Sequence, residues 1–302
     1  MVADRPFLGV MLMLGFCILA PLGDSIAKYL GDTIPLAELL LVRFLAQGIL
    51  LLPFALSNGG FGGIRGRIFW MTVLRTVLHI IGIAAMFTSL RFLPLADALA
   101  IAFVMPFFML ILGKAVLKEE VGARRLIASF VGFLGTLMVI QPSFAVVGLP
   151  ALLPLVVAVF FAGFVLVTRN IAKEVEPMAL QAASGWIAVP ILAACILAGY
   201  QSGGFAFGLV MPQGIEIWLL ALIGVIGTVA HLLMTWSLRF APSTTLAPMQ
   251  YLEIPFATII GYVVFKDLPN GMAAVGILIT IAAGVYVILR EHHQSRQIPP
   301  EV

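Results

Sequence analysis

Apolar runs long enough to cross a bilayer recur along the whole chain, separated by short turns rich in Gly, Pro and charge. About 20 residues of helix span the roughly 30 Å hydrocarbon layer. By that measure the pattern predicts ten helices: 7–30, 35–56, 69–91, 94–117, 122–141, 150–172, 177–199, 214–239, 243–265 and 270–290. The connections hold breaker residues, as in GDTIP at 31–35, SNGGFGG at 57–63, the Gln141–Pro142–Ser143 turn and YQSGGF at 200–205. No polar stretch is long enough for a soluble domain, and 291–302 reads as an unstructured polar tail.

One run departs from this pattern. STTLAPMQYLEIPFATIIGYVVFKD, 243–267, carries Gln250, Tyr251 and Glu253 at its middle, and Pro248 and Pro255 interrupt its hydrogen-bond ladder. A carboxylate near the midplane costs roughly 2.5–3.5 kcal/mol on insertion scales. That cost calls for a compensating partner or a function.

Composition supports the membrane reading. The 302 residues are 62% hydrophobic and 10% charged, with a mean hydropathy of +1.14, whereas a soluble chain carries about 25% charged residues. The net charge of +3 comes from loop lysines and arginines, which membrane topology explains without nucleic acid. Cys17 and Cys195 lie in apolar runs and form neither a disulfide framework nor a metal site. The first run continues past Pro21 without a small-residue cleavage site, so it reads as an uncleaved helix.

The distribution of cations sets an orientation. With the N-terminus inside, one side holds Arg5, Arg65, Arg67, Lys114, Lys118, Arg124, Arg125, Arg169, Lys173, Arg239, Arg290 and Arg296. The other holds only Lys28, Arg91 and Lys266. Both termini are therefore expected to be cytoplasmic.

An internal repeat adds a second constraint. Ser89–Leu90–Arg91–Phe92 with Pro94 matches Ser237–Leu238–Arg239–Phe240 with Pro242, and the same offset of 148 carries Gly113 onto Gly261, Lys118 onto Lys266 and Glu119 onto Asp267. Pro106 and Pro255 are offset by one residue more, and Met105 stands where a second carboxylate would be. Five helices per copy is an odd number, so the copies run in opposite senses across the membrane. Inverted repeats place a binding site near the midplane, where one half can rock against the other.

The arginine within LLLVRFLAQ (Arg43) and the paired motifs SLRFLPLADALAIAFVMPFFMLILGKAVLKEE and SLRFAPSTTLAPMQYLEIPFATIIGYVVFKD resemble the drug/metabolite transporter superfamily, in particular its ten-helix EamA-type members. The resemblance covers roughly 7–290. It implies repeats at 7–141 and 150–290, followed by a cytoplasmic tail at 291–302. It also implies a secondary transporter of a small metabolite such as an amino acid, nucleoside or cofactor. The cavity would lie between the halves, lined chiefly by the first, third, fourth, sixth, eighth and ninth helices.

The polar residues inside the spans are the candidates for that work. Asp24 and Lys28 are four apart on one face, as an ion pair near the outer interface or as substrate contacts. Arg43 needs a carboxylate, Asp24 or Glu38, or backbone carbonyls. Arg75 lies within about two turns of a helix end and can snorkel. These four form the charge-pair or coupling set. His79 and His231 are near mid-membrane, as bundle hydrogen-bonding groups or as proton carriers. Glu253, flanked by Gln250 and Tyr251, can hold a cationic group or shuttle a proton. Trp236, Phe103 and Phe164 are aromatic candidates for the cavity wall, while Trp70 and Trp218 read as interfacial anchors. Pro106, Pro248 and Pro255 are candidate hinges.

The expected partners are a small-molecule substrate, the bilayer, and protons or an exchange substrate, with the protein a monomer or weak dimer in the inner membrane. No nucleotide-binding loop, metal motif or other cofactor signature is present. A channel would want rings of repeated polar residues. An intramembrane enzyme would want a nucleophile–base set or ligands such as HExxH. Neither pattern occurs, so an alternating-access carrier is the leading expectation.

Overall fold

A computed structural model of the chain describes residues 5–119, 122–200 and 205–295. Every regular element among these is helical. The α-helices are α1 (Pro6–Leu30), α2 (Leu36–Ser57), α3 (Arg67–Ser89), α4 (Leu95–Ala102), α5 (Met105–Val116) and α6 (Ala123–Val147), then α7 (Leu153–Ile171), α8 (Pro177–Tyr200), α9 (Ile215–Phe240), α10 (Ser243–Leu246), α11 (Glu253–Ile260) and α12 (Gly271–Ser295). Eight helical segments among the described residues are long and apolar enough to cross a membrane. The chain is an all-helical polytopic membrane protein, the arrangement that satisfies backbone polar groups within hydrocarbon.

Two of the predicted helices are broken. The fourth run splits into α4 and α5 at Phe103–Val104. Pro106 lies in the first turn of α5 and has no N–H to offer the carbonyl one turn back. The ninth run is more fragmented: α10, a 3-10 helix at Ala247–Leu252, α11 and a π-helical turn at Gly261–Phe265. Pro248 and Pro255 fall in the first turns of the 3-10 helix and α11. The prolines therefore start new helical pieces instead of bending continuous ones, because a first turn has no use for their missing N–H.

Two predicted ends are corrected. Gln141–Pro142–Ser143 does not terminate α6, which continues to Val147 and stops at Gly148. Gly148 takes φ +70°, a conformation that costs glycine little. The polar tail starts later than expected, since α12 remains helical through Ser295. Of the 200–205 turn, residues 201–204 lie outside the described residues, as do 296–302 of the tail.

Packing places the broken pieces in the middle. α1 lies along α9, α2 along α8, α3 along α7 and α6 along α12. All eight residues of α4 are buried. Close approach depends on small residues, as is usual where lipid offers no hydrophobic drive for helix association. A Cβ built on Gly135 of α6 would lie 2.6 Å from the Gly276 carbonyl of α12, and one on Gly185 of α8 would lie 2.6 Å from the Gly48 nitrogen of α2. On α9, Ile217, Leu222, Val225 and Val229 face outward, while Thr228, His231 and Thr235 are buried. The inside is more polar than the outside, the inverse of a soluble helix. Trp70 and Trp218, at the starts of α3 and α9, are among the most exposed side chains, as interfacial anchors require.

Candidate functional site

A cavity opens where α1, α3, α4, α7, α9 and α11 converge, with Arg43 reaching in from α2. Its polar wall is Asp24, Arg43, His231 and Glu253, and its apolar wall includes Phe16, Phe103, Met105 and Phe161. Residues from both predicted repeats contribute. Its volume is about 70 Å³, well short of the roughly 300–1,000 Å³ of sites that take drug-sized ligands. The surrounding helices must separate to admit a metabolite.

Each polar group is positioned by a local device. Arg43 lies against bare backbone at Gly227, where a Cβ would come within 2.7 Å of its guanidinium. Its Nη2 donates to Nδ1 of His231 at 2.9 Å. A guanidinium has no acceptor, so this contact fixes the proton of a neutral His231 on Nε2. The same Nδ1 is 3.1 Å from the Gly227 carbonyl. A proton on Nδ1 would turn it to that carbonyl and away from Arg43, so the two contacts belong to different tautomers or protonation states. Asp24 lies near both Arg43 and Glu253 on the cavity wall.

The second histidine stands behind the first. The His79 ring centroid is 4.4 Å from that of His231 and stacks on Phe164 at 4.3 Å. Neither nitrogen of His79 has a hydrogen-bond partner, and Nε2 of His231 and Nε of Arg43 are also unpartnered. Buried polar atoms are usually satisfied. Here four unpartnered ones cluster at and just behind the cavity wall.

The structure thus brings Asp24, Arg43, His231, Glu253 and Phe103 to one cavity, with His79 and Phe164 one layer behind. It places Gln250, Tyr251 and Trp236 elsewhere. Tyr251 points toward α6, its hydroxyl donating to the Ser129 carbonyl at 3.3 Å and its ring lying over Gly132. Gln250 is fully buried with both amide atoms unpartnered. Trp236 packs with Leu51, Ala182 and Leu232 at the α2–α8 side.

Two expected pairings and one expected orientation are replaced; of the two acids expected near Arg43, only Asp24 is there. Lys28 bonds not to Asp24 but to Asp267, at 2.8 Å, because the loop after the π-helical turn folds back over the end of α1. Glu38 does not meet Arg43; it accepts from the Val210 N–H at 2.8 Å. Arg75 does not snorkel. It is fully buried and donates to Thr168, Ser184 and Gln181 at 3.0, 2.6 and 3.0 Å, with its guanidinium over the Phe164 ring. These acceptors on α7 and α8 hold it inward.

Sequence reasoning missed several contributors. Phe16 and Phe161 carry no signal in a chain with 22 Phe. Asp97, which lies outside the cavity lining, did carry one, being an acid within the apolar α4. It is buried, with one oxygen accepting from Ser143 at 3.0 Å and the other unpartnered. Among the described residues, no group of three His, Cys, Asp or Glu side chains converges as a metal site.

Comparison with known proteins places this arrangement in context. The EamA-like transporter family matches twice, over 7–141 and 148–290. A riboflavin transporter of Brucella anthropi is 27% identical over 249 residues, 82% of this chain and 86% of that one. An S-adenosylmethionine uptake transporter of Rickettsia prowazekii is 24% identical over 283 residues, 94% of this chain and 93% of that one. A crystal structure 17% identical in sequence superposes with a TM-score of 0.69 over 96% of this chain and 98% of its own, which is a likeness of fold. With both family matches together covering nearly all of the chain, this protein belongs to the EamA-like transporter family.

Proposed function

We propose that the protein is a ten-passage secondary carrier of the inner membrane, built from two inverted five-helix repeats with both termini cytoplasmic, and that it moves a ring-bearing polar metabolite of the cofactor class. The observation that carries this reading is the cavity itself, where two carboxylates, an arginine and a histidine meet three aromatic rings at the breaks in two helices. Asp24 and Glu253 suit a cationic group, Arg43 and His231 suit a carbonyl or carboxylate, and Phe16, Phe103 and Phe161 suit a planar ring. The related proteins named for riboflavin and S-adenosylmethionine carry ring-bearing solutes of this kind.

The helix pairing supports the repeat. Exchanging the first five passages with the last five turns the α1–α9 contact into the α7–α3 contact and returns the α2–α8 and α6–α12 contacts to themselves. Such pairing suits alternating access, in which one half rocks against the other about a fixed site. A cavity this small suits a contracted state between openings, which in this reading is the occluded one. Protons or an exchange substrate would drive the cycle, and Glu253 and the histidines are the groups placed to couple it.

Ligand-dependent stabilisation of purified protein tests the reading. A ligand that binds only the folded state raises its stability as RT ln(1 + [L]/Kd). Riboflavin or S-adenosylmethionine should raise the melting temperature of the parent and not of Glu253→Gln or Arg43→Gln. Shifts of equal size in all three would remove the cavity from the account, and a flat response across a metabolite panel would refute the substrate class.

A further inference from the structure

Two ion pairs stand at opposite ends of the cavity and share one architecture. At one end Lys28 of α1 bonds to Asp267 at 2.8 Å and to the Leu93 carbonyl at 3.2 Å. At the other, Arg169 of α7 bonds to Glu119 at 3.3 Å and to the Leu238 carbonyl at 2.7 Å. Lys28 and Arg169 are 141 positions apart, as are the two family matches beginning at 7 and 148. Glu119 and Asp267 are 148 apart, the offset of the SLRF repeat.

The local backbone repeats too. Lys118 and Lys266, immediately before the two acids, have φ of 54° and 60°, and among the described residues they are the only non-glycine positions with positive φ. The Glu119 N–H then closes on the Gly113 carbonyl at 3.1 Å, and the Asp267 N–H on the Gly261 carbonyl at 3.2 Å. A left-handed conformation is costly for lysine, and strain that recurs at matched positions marks function more often than accident. Here it turns each acid back over the end of its own broken passage and toward the other half.

Their placement follows from α1. Its first residues touch the end of α9, with the Arg5 N–H bonded to the Phe240 carbonyl at 2.8 Å and Gly9 against Ala241. Next in sequence, Ser243 and Thr244 bond to Glu119. Lys28 lies ~28 Å further along the same helix at 1.5 Å per residue. The cavity residues Phe16 to Asp24 fall between the two pairs. Each pair joins a cation on the first helix of one repeat to an acid on the fourth passage of the other.

We propose that Lys28–Asp267 and Arg169–Glu119 are the two gate latches of the transport cycle, closed together in the occluded state and released one at a time; this rests on the alternating-access reading above. The latches are unequal. Glu119 also accepts from the Ser243 N–H and hydroxyl and the Thr244 N–H, at 3.2, 2.7 and 3.0 Å, and both side chains of its pair are 11% exposed. Lys28 and Asp267 are 18% and 35% exposed, so water screens that pair more. The Lys28 end is therefore the easier to open. Asp97, close enough to feel both Lys28 and Asp267, offers Lys28 a second acid as Asp267 lets go.

The test is access to the cavity from each side. A single cysteine reporter, Ala20→Cys in a Cys17→Ala, Cys195→Ala background, is labelled with a membrane-impermeant maleimide in right-side-out and inverted vesicles. Asp267→Asn should raise labelling from the Lys28 face by about 5-fold and lower it from the other, as expected of a shifted two-state equilibrium. Glu119→Gln or Arg169→Gln should do the reverse, and the exchange Lys28→Asp with Asp267→Lys should return labelling towards the parent. Neutralising either latch opening the same face would overturn the proposal, as would unchanged labelling in every variant while riboflavin or S-adenosylmethionine still protects the parent reporter. A parent reporter reached from neither face would instead overturn the carrier reading itself, and the latches with it.

Discussion

Arg75 separates two ways of losing a buried interaction. Its Nε, Nη1 and Nη2 are used on three acceptors, Thr168 of α7 and Ser184 and Gln181 of α8, so one side chain ties three helices together. A hydrogen bond to a charged group contributes about 1.5–3 kcal/mol. Arg75→Lys keeps the charge but replaces a planar fork by one ammonium, which cannot meet acceptors spread over two helices. Loss of two of the three bonds costs about 3 kcal/mol or more. The charge also remains buried and less well compensated.

Arg75→Met removes the charge along with the bonds. Thr168 keeps its bond to the Phe164 carbonyl at 2.7 Å, and the Ser184 hydroxyl can turn to the carbonyl one turn back. Chiefly Gln181 is left unsatisfied, at a cost of about 1–3 kcal/mol. The expected order of stability is therefore parent, then Arg75→Met, then Arg75→Lys. Unfolding free energies from denaturant titration of detergent-solubilised protein measure it. Arg75→Lys within about 1 kcal/mol of the parent, or more stable than Arg75→Met, would refute the reasoning.

Three further outcomes follow from the same geometry. Glu253→Gln should cut uptake by at least about 10-fold while leaving the melting temperature equal or higher, because an amide costs less to bury than a carboxylate; a lower melting temperature with normal uptake would make Glu253 structural. Gly276→Val should destabilise by about 1–3 kcal/mol through overpacking against α6, read by thermal unfolding, whereas Gly271→Ala, with open space around it, should be neutral. His231→Phe should impair transport more than His231→Gln, since glutamine can still accept from Arg43; equal uptake by the two variants would remove that bond from the mechanism.

The long helices were legible because hydropathy over about twenty residues is a strong signal, and α1, α2, α3, α8 and α9 fall within a few residues of their expected ends. The end of α6 was misread because Pro142 is a conspicuous breaker, while the left-handed glycine that stops the helix, Gly148, is visible only in the backbone. Pairings were misread where a neighbour in sequence competed with one in space. Asp24 is four residues from Lys28, yet the actual partner, Asp267, arrives from the other half of the chain. Glu253 stood out because it is an acid flanked by prolines. Asp97 meets the same criterion less conspicuously, and the aromatic wall is indistinguishable in sequence from lipid-facing phenylalanine. Gln250 and Tyr251 were drawn in by their adjacency to Glu253, but successive helical residues point about 100° apart, and the 3-10 turn carries Tyr251 outward to α6.

Counterflow in proteoliposomes tests the central claim most directly. Vesicles preloaded with unlabelled riboflavin or S-adenosylmethionine and diluted into a trace of the labelled compound should show a transient overshoot that saturates with substrate and is lost in Glu253→Gln. A linear, non-saturating influx with no overshoot, equal in the parent and Glu253→Gln, would contradict a carrier that alternates about this cavity and point to a pore.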